Sequence, residues 1–135
     1  AFDESEITHL PQERLKKIID KIFIWSGNAD VFPAIIKNIE DKMNLHRDYK
    51  IADIRAIIVV EDNPRYYSII LPLIYQTALK HARDLINKSL SDIDRLLLFR
   101  ARPKIILASS YEEATHYYHK YRHNILGFIS DIRFP

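Results

Sequence analysis

The sequence predicts an α/β protein built on a parallel sheet with helices on both faces. Three observations predict it. Four short apolar runs, at residues 22–25, 56–60, 104–108 and 125–129, are β-branched and nearly continuous, the pattern of strands buried on both faces. Segments of helical spacing lie between them, so helix and strand alternate as they do in parallel sheets. The length of 135 residues, with 47% hydrophobic and 28% charged residues, suits a soluble chain with one core.

The elements follow in order. Leu10, Arg14, Ile18 and Lys21 begin a first helix, with Pro11 near its start and Leu15, Ile18 and Ile19 as its core stripe. The run at 22–25 is the first strand. Val31, Ile35, Ile36 and Ile39 mark a second helix, with Pro33 in its first turn. The highly charged stretch 41–53 reads as a connection, and a junction near residues 49–53 divides the chain into units 1–50 and 51–135. After the strand at 56–60, Asn63 caps a third helix with Pro64 at its first position; it runs through Ile69, Leu73, Ile74 and Leu79 towards Ile86, kinked at Pro72. Ser91 or Asp92 caps a short helix through Leu96, Leu97 and Phe99, which Pro103 ends before the strand at 104–108. Ser110 caps a helix over 111–122, with Glu112 and Glu113 well placed in its first turn. The strand at 125–129 follows.

Composition excludes several classes. The net charge of +2 is spread along the chain, so nucleic acid is not an expected partner. The longest uncharged apolar stretch, Tyr66 to Leu79, is shorter than the roughly 20 residues that cross a bilayer, and no signal peptide is seen, so no membrane partner is expected. The absence of cysteine removes disulfides and thiolate chemistry and fits a cytoplasmic location. Two glycines, Gly27 and Gly127, are too few for a phosphate-binding loop, which also sets aside a Walker B reading of residues 56–62.

Chemistry concentrates at two strand ends, Glu61-Asp62-Asn63 and Ser130-Asp131. Residues just past the carboxyl ends of adjacent parallel strands converge in one crevice, so Glu61, Asp62 and Asp131 are expected to share a pocket. Three carboxylates repel one another unless a hard cation neutralises them, and magnesium is the expected ion. Beside it, Asp131 is the expected nucleophile on phosphorus. The bland alternative for Glu61 and Asp62 is a pair of acids that organises the start of the following helix.

These residues carry a family resemblance. The segment Ala56-Ile-Ile-Val-Val-Glu-Asp-Asn-Pro64 resembles the first strand and acidic pair of response-regulator receiver domains, and Ile129-Ser-Asp-Ile-Arg-Phe-Pro135 resembles their third strand with its phosphoacceptor. The resemblance implies a flavodoxin-like sheet, here incomplete with about four strands. It implies that Asp131 accepts a phosphoryl group, that Glu61 and Asp62 hold Mg2+, and that the Arg133 carbonyl completes the metal shell. The implied partners are a sensor histidine kinase or phosphotransfer protein and an output domain of the parent chain. The sequence also departs from the family. The distance from Val60 to Lys104 leaves room for a lengthened or doubled helix, and the hydroxyl and lysine positions that follow a receiver's fourth and fifth strands are missing beyond Pro135. The chain is therefore expected to be a piece of a longer protein. Residues 22–28 with the helix from Asp30 resemble the fifth strand and last helix of a preceding, degenerate receiver, with Trp25-Ser26 in place of lysine-proline. Together with Arg65-Tyr-Tyr-Ser68 and Arg102-Pro-Lys-Ile-Ile106, these segments are similar to the tandem receiver-like region ahead of some bacterial phosphoenolpyruvate synthase or pyruvate, phosphate dikinase-like proteins. No synthase activity follows from that similarity.

The leading expectation is a phosphorelay switch rather than an enzyme. The alternative is a phosphorylation-incompetent pseudo-receiver that acts as a scaffold, and a flavin-binding or hydrolytic domain is weaker still. An incomplete sheet leaves an edge, which predicts a homodimer. His116, His119 and His123 share a helix face, but packing by Ala114, Tyr118 and Tyr121 leaves them solvated rather than metal-binding. The eight tyrosines are read as packing residues, Trp25 as core filling, and Arg65 and Arg133 as surface charges flanking the pocket.

Overall fold

The computed structural model describes residues 19–52, 54–88, 91–93 and 102–131. In chain order they form helix α1 (Val31–Ala52), strand β1 (Ala56–Val60), helix α2 (Pro64–Lys88), strand β2 (Lys104–Ala108), helix α3 (Tyr111–Tyr121), a 3-10 turn (Arg122–Asn124) and strand β3 (Ile125–Ser130). The strands make one parallel sheet in the order β2-β1-β3. The α/β class and the parallel pairing are as expected. No helix among the described residues is long and apolar enough to cross a membrane.

Two clusters form the core, one on each face of the sheet. On one face Ile58, Val60, Ile106 and Ala108 pack with Ala114 and Tyr121 of α3 and Leu45 of α1. On the other, Val59, Ile105 and Leu107 pack with Tyr67, Leu71 and Tyr75 of α2 and Ala34 of α1. The near-continuous apolar runs of β1 and β2 are explained directly, because both faces of these strands are covered. α1 contributes to both clusters because it crosses the outer edge of β2 rather than lying on one face. The junction expected at residues 49–53 falls at the C-terminal end of this helix.

Several expectations are corrected. The run at 22–25 joins no sheet, so the described residues hold three strands where about four were expected. It is held along α2 instead: the Tyr67 hydroxyl donates to the Ile22 carbonyl, the Ile24 amide donates to Ser68 Oγ at 2.9 Å, and Phe23 meets the Tyr67 ring edge-on at 5.3 Å. The charged stretch 41–53 is helical up to Ala52. The α1 stripe is also different. Val31, Ala34, Asn38, Asp41 and Leu45 face inward, while Ile36 is 57% exposed and Ile39 and Phe32 are similarly open. The cause is the β2 edge, whose outward backbone groups need polar partners. Asn38 Nδ2 donates to the Ile105 carbonyl at 3.1 Å and the Ile105 amide donates to Asp41 Oδ2 at 3.0 Å, so two helix side chains stand in for a neighbouring strand. α2 runs through Pro72 as one helix of 25 residues. The first predicted helix lies outside the described residues up to residue 18, and its expected end at Ile19 and Lys21 is not helical; most of the short helix after Ser91, and Arg133, also lie outside the described residues.

Candidate functional site

Parallel pairing brings the carboxyl ends of all three strands to one side of the sheet. At the end of β1, the Glu61 amide donates to the Ala108 carbonyl at 3.0 Å, which extends the ladder one residue past the strand and buries Glu61. Its carboxylate turns back to accept the Asn63 amide at 3.0 Å. Asn63 in turn accepts the Arg65 amide on Oδ1 at 2.9 Å, so it caps α2 as predicted, with Pro64 in the first position where no amide is missed. Glu61 therefore does hold the turn that starts the helix.

A cavity of about 680 Å³ opens beside this turn, between the ends of β1 and β3, and both Glu61 and Asp131 line it. Tyr66 and Ile70 of α2 form one wall, and Ile129 and Ser130 form another. Ser130 Oγ donates to the Asp131 carbonyl at 2.8 Å. Of the three carboxylates expected together, two line this cavity. Asp62 is exposed and does not line the cavity, because Glu61 takes the inward position at the strand end. Arg65 is exposed and likewise outside it. Among the described residues no group of three or more His, Asp or Glu side chains is gathered as a metal site. Magnesium asks for less than that: it is commonly held by one or two carboxylates, with waters and phosphate oxygens completing its shell. Glu61 and Asp131 supply hard oxygens of that kind on one cavity, so the donor set fits the ion.

Apart from Tyr66, the other singled-out residues that are described lie outside this cavity. His116, His119 and His123 are exposed, with Ala114 and Tyr121 inward as expected and Tyr118 outward, against expectation. Tyr67, Tyr75 and Tyr121 pack in the core, whereas Tyr66 and Tyr111 are exposed. Trp25 does not fill the core: it is 54% exposed and stacks at a tilt on Phe32, 6.5 Å away.

Two polar clusters escaped the sequence reading. Asp41 is fully buried and accepts Arg102 on both oxygens, at 2.8 and 3.0 Å, together with the Tyr75 hydroxyl at 3.0 Å; Lys104 Nζ lies 3.5 Å away. Burial works against the Arg102 charge, but the Asp41 carboxylate outweighs it and holds the guanidinium above its ordinary pKa. The available signal was the spacing 31, 34, 38, 41, 45, which is a helical stripe if polar residues are allowed into it. In the second cluster, Lys21 Nζ donates to Ser109 Oγ just past β2 and lies 3.7 Å from the Glu113 carboxylate, which itself accepts the Ser109 amide at 2.8 Å. Burial lowers the Lys21 pKa, against the raising effect of Glu113.

No family model, no curated protein and no solved structure matches this chain.

Proposed function

We propose that the chain carries a receiver-like phosphoacceptor site in which Asp131 takes a phosphoryl group, as part of a phosphorelay switch. The observation that carries this reading is the cavity at the ends of β1 and β3 with Glu61 and Asp131 on its wall. The order β2-β1-β3 matches the first three strands of the flavodoxin-like order 2-1-3-4-5, in which ligands bind outside the carboxyl ends of the strands where the order reverses, between β1 and β3. In the same reading, residues 51–135 are the front half of one receiver-like unit, and α1 ahead of them packs into the same core.

The chemistry follows from the two carboxylates. An Asp131 carboxylate oxygen attacks the phosphorus of a phosphohistidine or an acyl phosphate. The bond from phosphorus to the donor atom breaks, and the donor leaves with the electron pair. Glu61, tied to the Asn63 amide, keeps a negative oxygen fixed at the mouth while Asp131 reacts. Mg2+ held by Glu61 and Asp131 would supply positive charge for the phosphoryl oxygens. The phosphoryl donor is a sensor histidine kinase or a phosphotransfer protein, and the reader is an output domain of the parent chain.

Magnesium titration followed by NMR tests the reading, with a small acyl phosphate added afterwards. Saturable shifts at the Glu61 and Asp131 amides, then a phosphoryl adduct in wild type that Asp131→Asn lacks, are expected. Absence of both overturns it. The second reading, a scaffold without phosphoryl chemistry, is favoured by the position of Asp62 outside the cavity, and predicts no response to the ion at any of these amides.

A further inference from the structure

Lys21 and Ser109 stand 88 positions apart in the chain and meet at the carboxyl end of the sheet. Ser109 is the first residue past β2, in the turn that leads into α3, and Lys21 Nζ donates to its Oγ from a side chain that is 14% exposed. Glu113, 3.7 Å from that Nζ, is itself fixed in place: it accepts the Ser109 amide at 2.8 Å, and its own amide donates to Ser110 Oγ at 3.1 Å. A hydroxyl, a base within hydrogen-bond reach of it and a third group that orients the base are the parts of an activated nucleophile. The charges around the lysine suit that part. Burial, with Lys42 of α1 adding to it, outweighs Glu113 of α3 and the neighbouring Asp20, and keeps the Lys21 pKa below the ordinary lysine value. A small cavity of about 170 Å³ lies at this pair. Lys21 and Ser109 line it beside Asp20, and Ile22, Pro64 and Tyr67 supply an apolar wall.

We propose that Ser109 and Lys21 form a second site, with Ser109 as nucleophile and Lys21 as its general base, that hydrolyses uncharged esters of short-chain acids. The cavity volume limits the acyl group to a short chain, its apolar wall suits one without charge, and Asp20 and Glu113 repel an anion. With Lys21 neutral, Ser109 Oγ attacks the ester carbonyl carbon and its proton passes to Nζ. The carbonyl oxygen takes the negative charge, and the amides of Tyr111 and Glu112, which open α3 just after Ser109 and have no acceptor within the helix, are donors of the kind that hold such an oxygen. The bond to the alkoxy oxygen then breaks, the alcohol leaves with the proton from Nζ, and an acyl-serine remains. Water attacks that acyl carbon and gives a proton to Nζ; the bond to Oγ breaks, Oγ takes the proton back, and the acid is released. Glu113 acts through Lys21 and is a positioning residue. The inference does not rest on the phosphoacceptor reading, because Ser109 follows β2 and Asp131 follows β3, on opposite sides of β1.

Two probes test the site: a fluorophosphonate, which phosphonylates an activated serine with loss of fluoride and is located by peptide mass spectrometry, and p-nitrophenyl acetate, whose turnover is followed by absorbance. A single adduct at Ser109 is expected in wild type, formed at a rate that rises with pH through one ionisation below the ordinary lysine value of 10.5. Ser109→Ala should lose both adduct and turnover. Lys21→Arg keeps a cation beside Glu113 but cannot give up a proton, so it should slow labelling and turnover about a hundredfold or more while the urea midpoint stays near that of wild type. Absence of a Ser109 adduct in wild type overturns the proposal whatever the variants do. So does an adduct at neighbouring Ser110 instead, turnover retained by Ser109→Ala, or labelling of Lys21→Arg at the wild-type rate, which would make the lysine a structural contact alone.

Discussion

Asp41 shows how much rests on one side chain. It is a fully buried carboxylate with four hydrogen bonds, from Arg102 twice, Tyr75 and the Ile105 amide. Truncation to alanine strands the guanidinium and an edge amide together, and removal of one partner of a buried pair typically costs about 3–5 kcal/mol. Urea unfolding of Asp41→Ala should show a loss of that order, and the Ile105 amide should lose hydrogen-exchange protection in the same variant; a loss below about 1 kcal/mol would mean that the carboxylate is not the tie between α1 and β2. Two turns along α1, Asp48 is bonded by Lys104 Nζ at 2.9 Å and by Arg47 at 3.4 Å. Burial opposes its charge, but Lys104 and then Arg47 outweigh it and hold its pKa below the ordinary aspartate value. The folded state therefore keeps this carboxylate charged to lower pH than the unfolded chain does. The resulting stability is present above about pH 4 and is lost as pH falls through the folded value. Asp48→Asn should flatten that acid limb of a stability–pH curve measured by urea unfolding and leave its neutral-pH slope alone.

At the scale of the elements, local signals were legible where they acted on backbone groups nearby. Asn63 and Ser110 were readable as caps because each stands before a helix with the right neighbours, and both side chains accept amides as expected. Ser110→Ala should lower stability by about 1 kcal/mol, read as a shift of the urea midpoint with unchanged slope; no shift would mean that α3 is set by its packing alone. Strands β1 and β2 were legible for the same kind of reason, since a run covered on both faces has one pattern. What failed was the orientation of α1. Its isoleucines suggested an inward face, but a helix that crosses a strand edge must turn hydrogen-bonding side chains inward, and no periodicity of apolar residues reports that need. The run at 22–25 has strand composition, yet Tyr67 and Ser68 supply its Ile22 and Ile24 backbone groups with side-chain partners on α2. The pairing of Glu61 with Asp131 on one cavity was legible because parallel topology fixes where strand ends go. The exclusion of Asp62 was not, since it depends on which of two adjacent acids turns inward.

Over the whole molecule, α1 joins the two core clusters through Ala34 on one face and Leu45 on the other. Loss of the helix would open both, so unfolding followed by circular dichroism and by fluorescence of the single Trp25, which rests on Phe32 of α1, should coincide. An earlier fluorescence transition would show that the residues ahead of β1 melt as a separate unit. The same packing buries phenols. Tyr67, Tyr75 and Tyr117 are all held above the ordinary tyrosine pKa, by burial above all, and at Tyr75 by the adjacent Asp41 charge as well. For a raised phenol, folding is fully supported below about pH 10, and that support drains away at higher pH as the unfolded chain alone gives up the proton. Three of the eight tyrosines therefore become a built-in optical clock. Their ultraviolet phenolate band should lag in an alkaline jump and then rise at the pace at which the core opens, so that a spectrophotometer without any added dye records the lifetime of the fold.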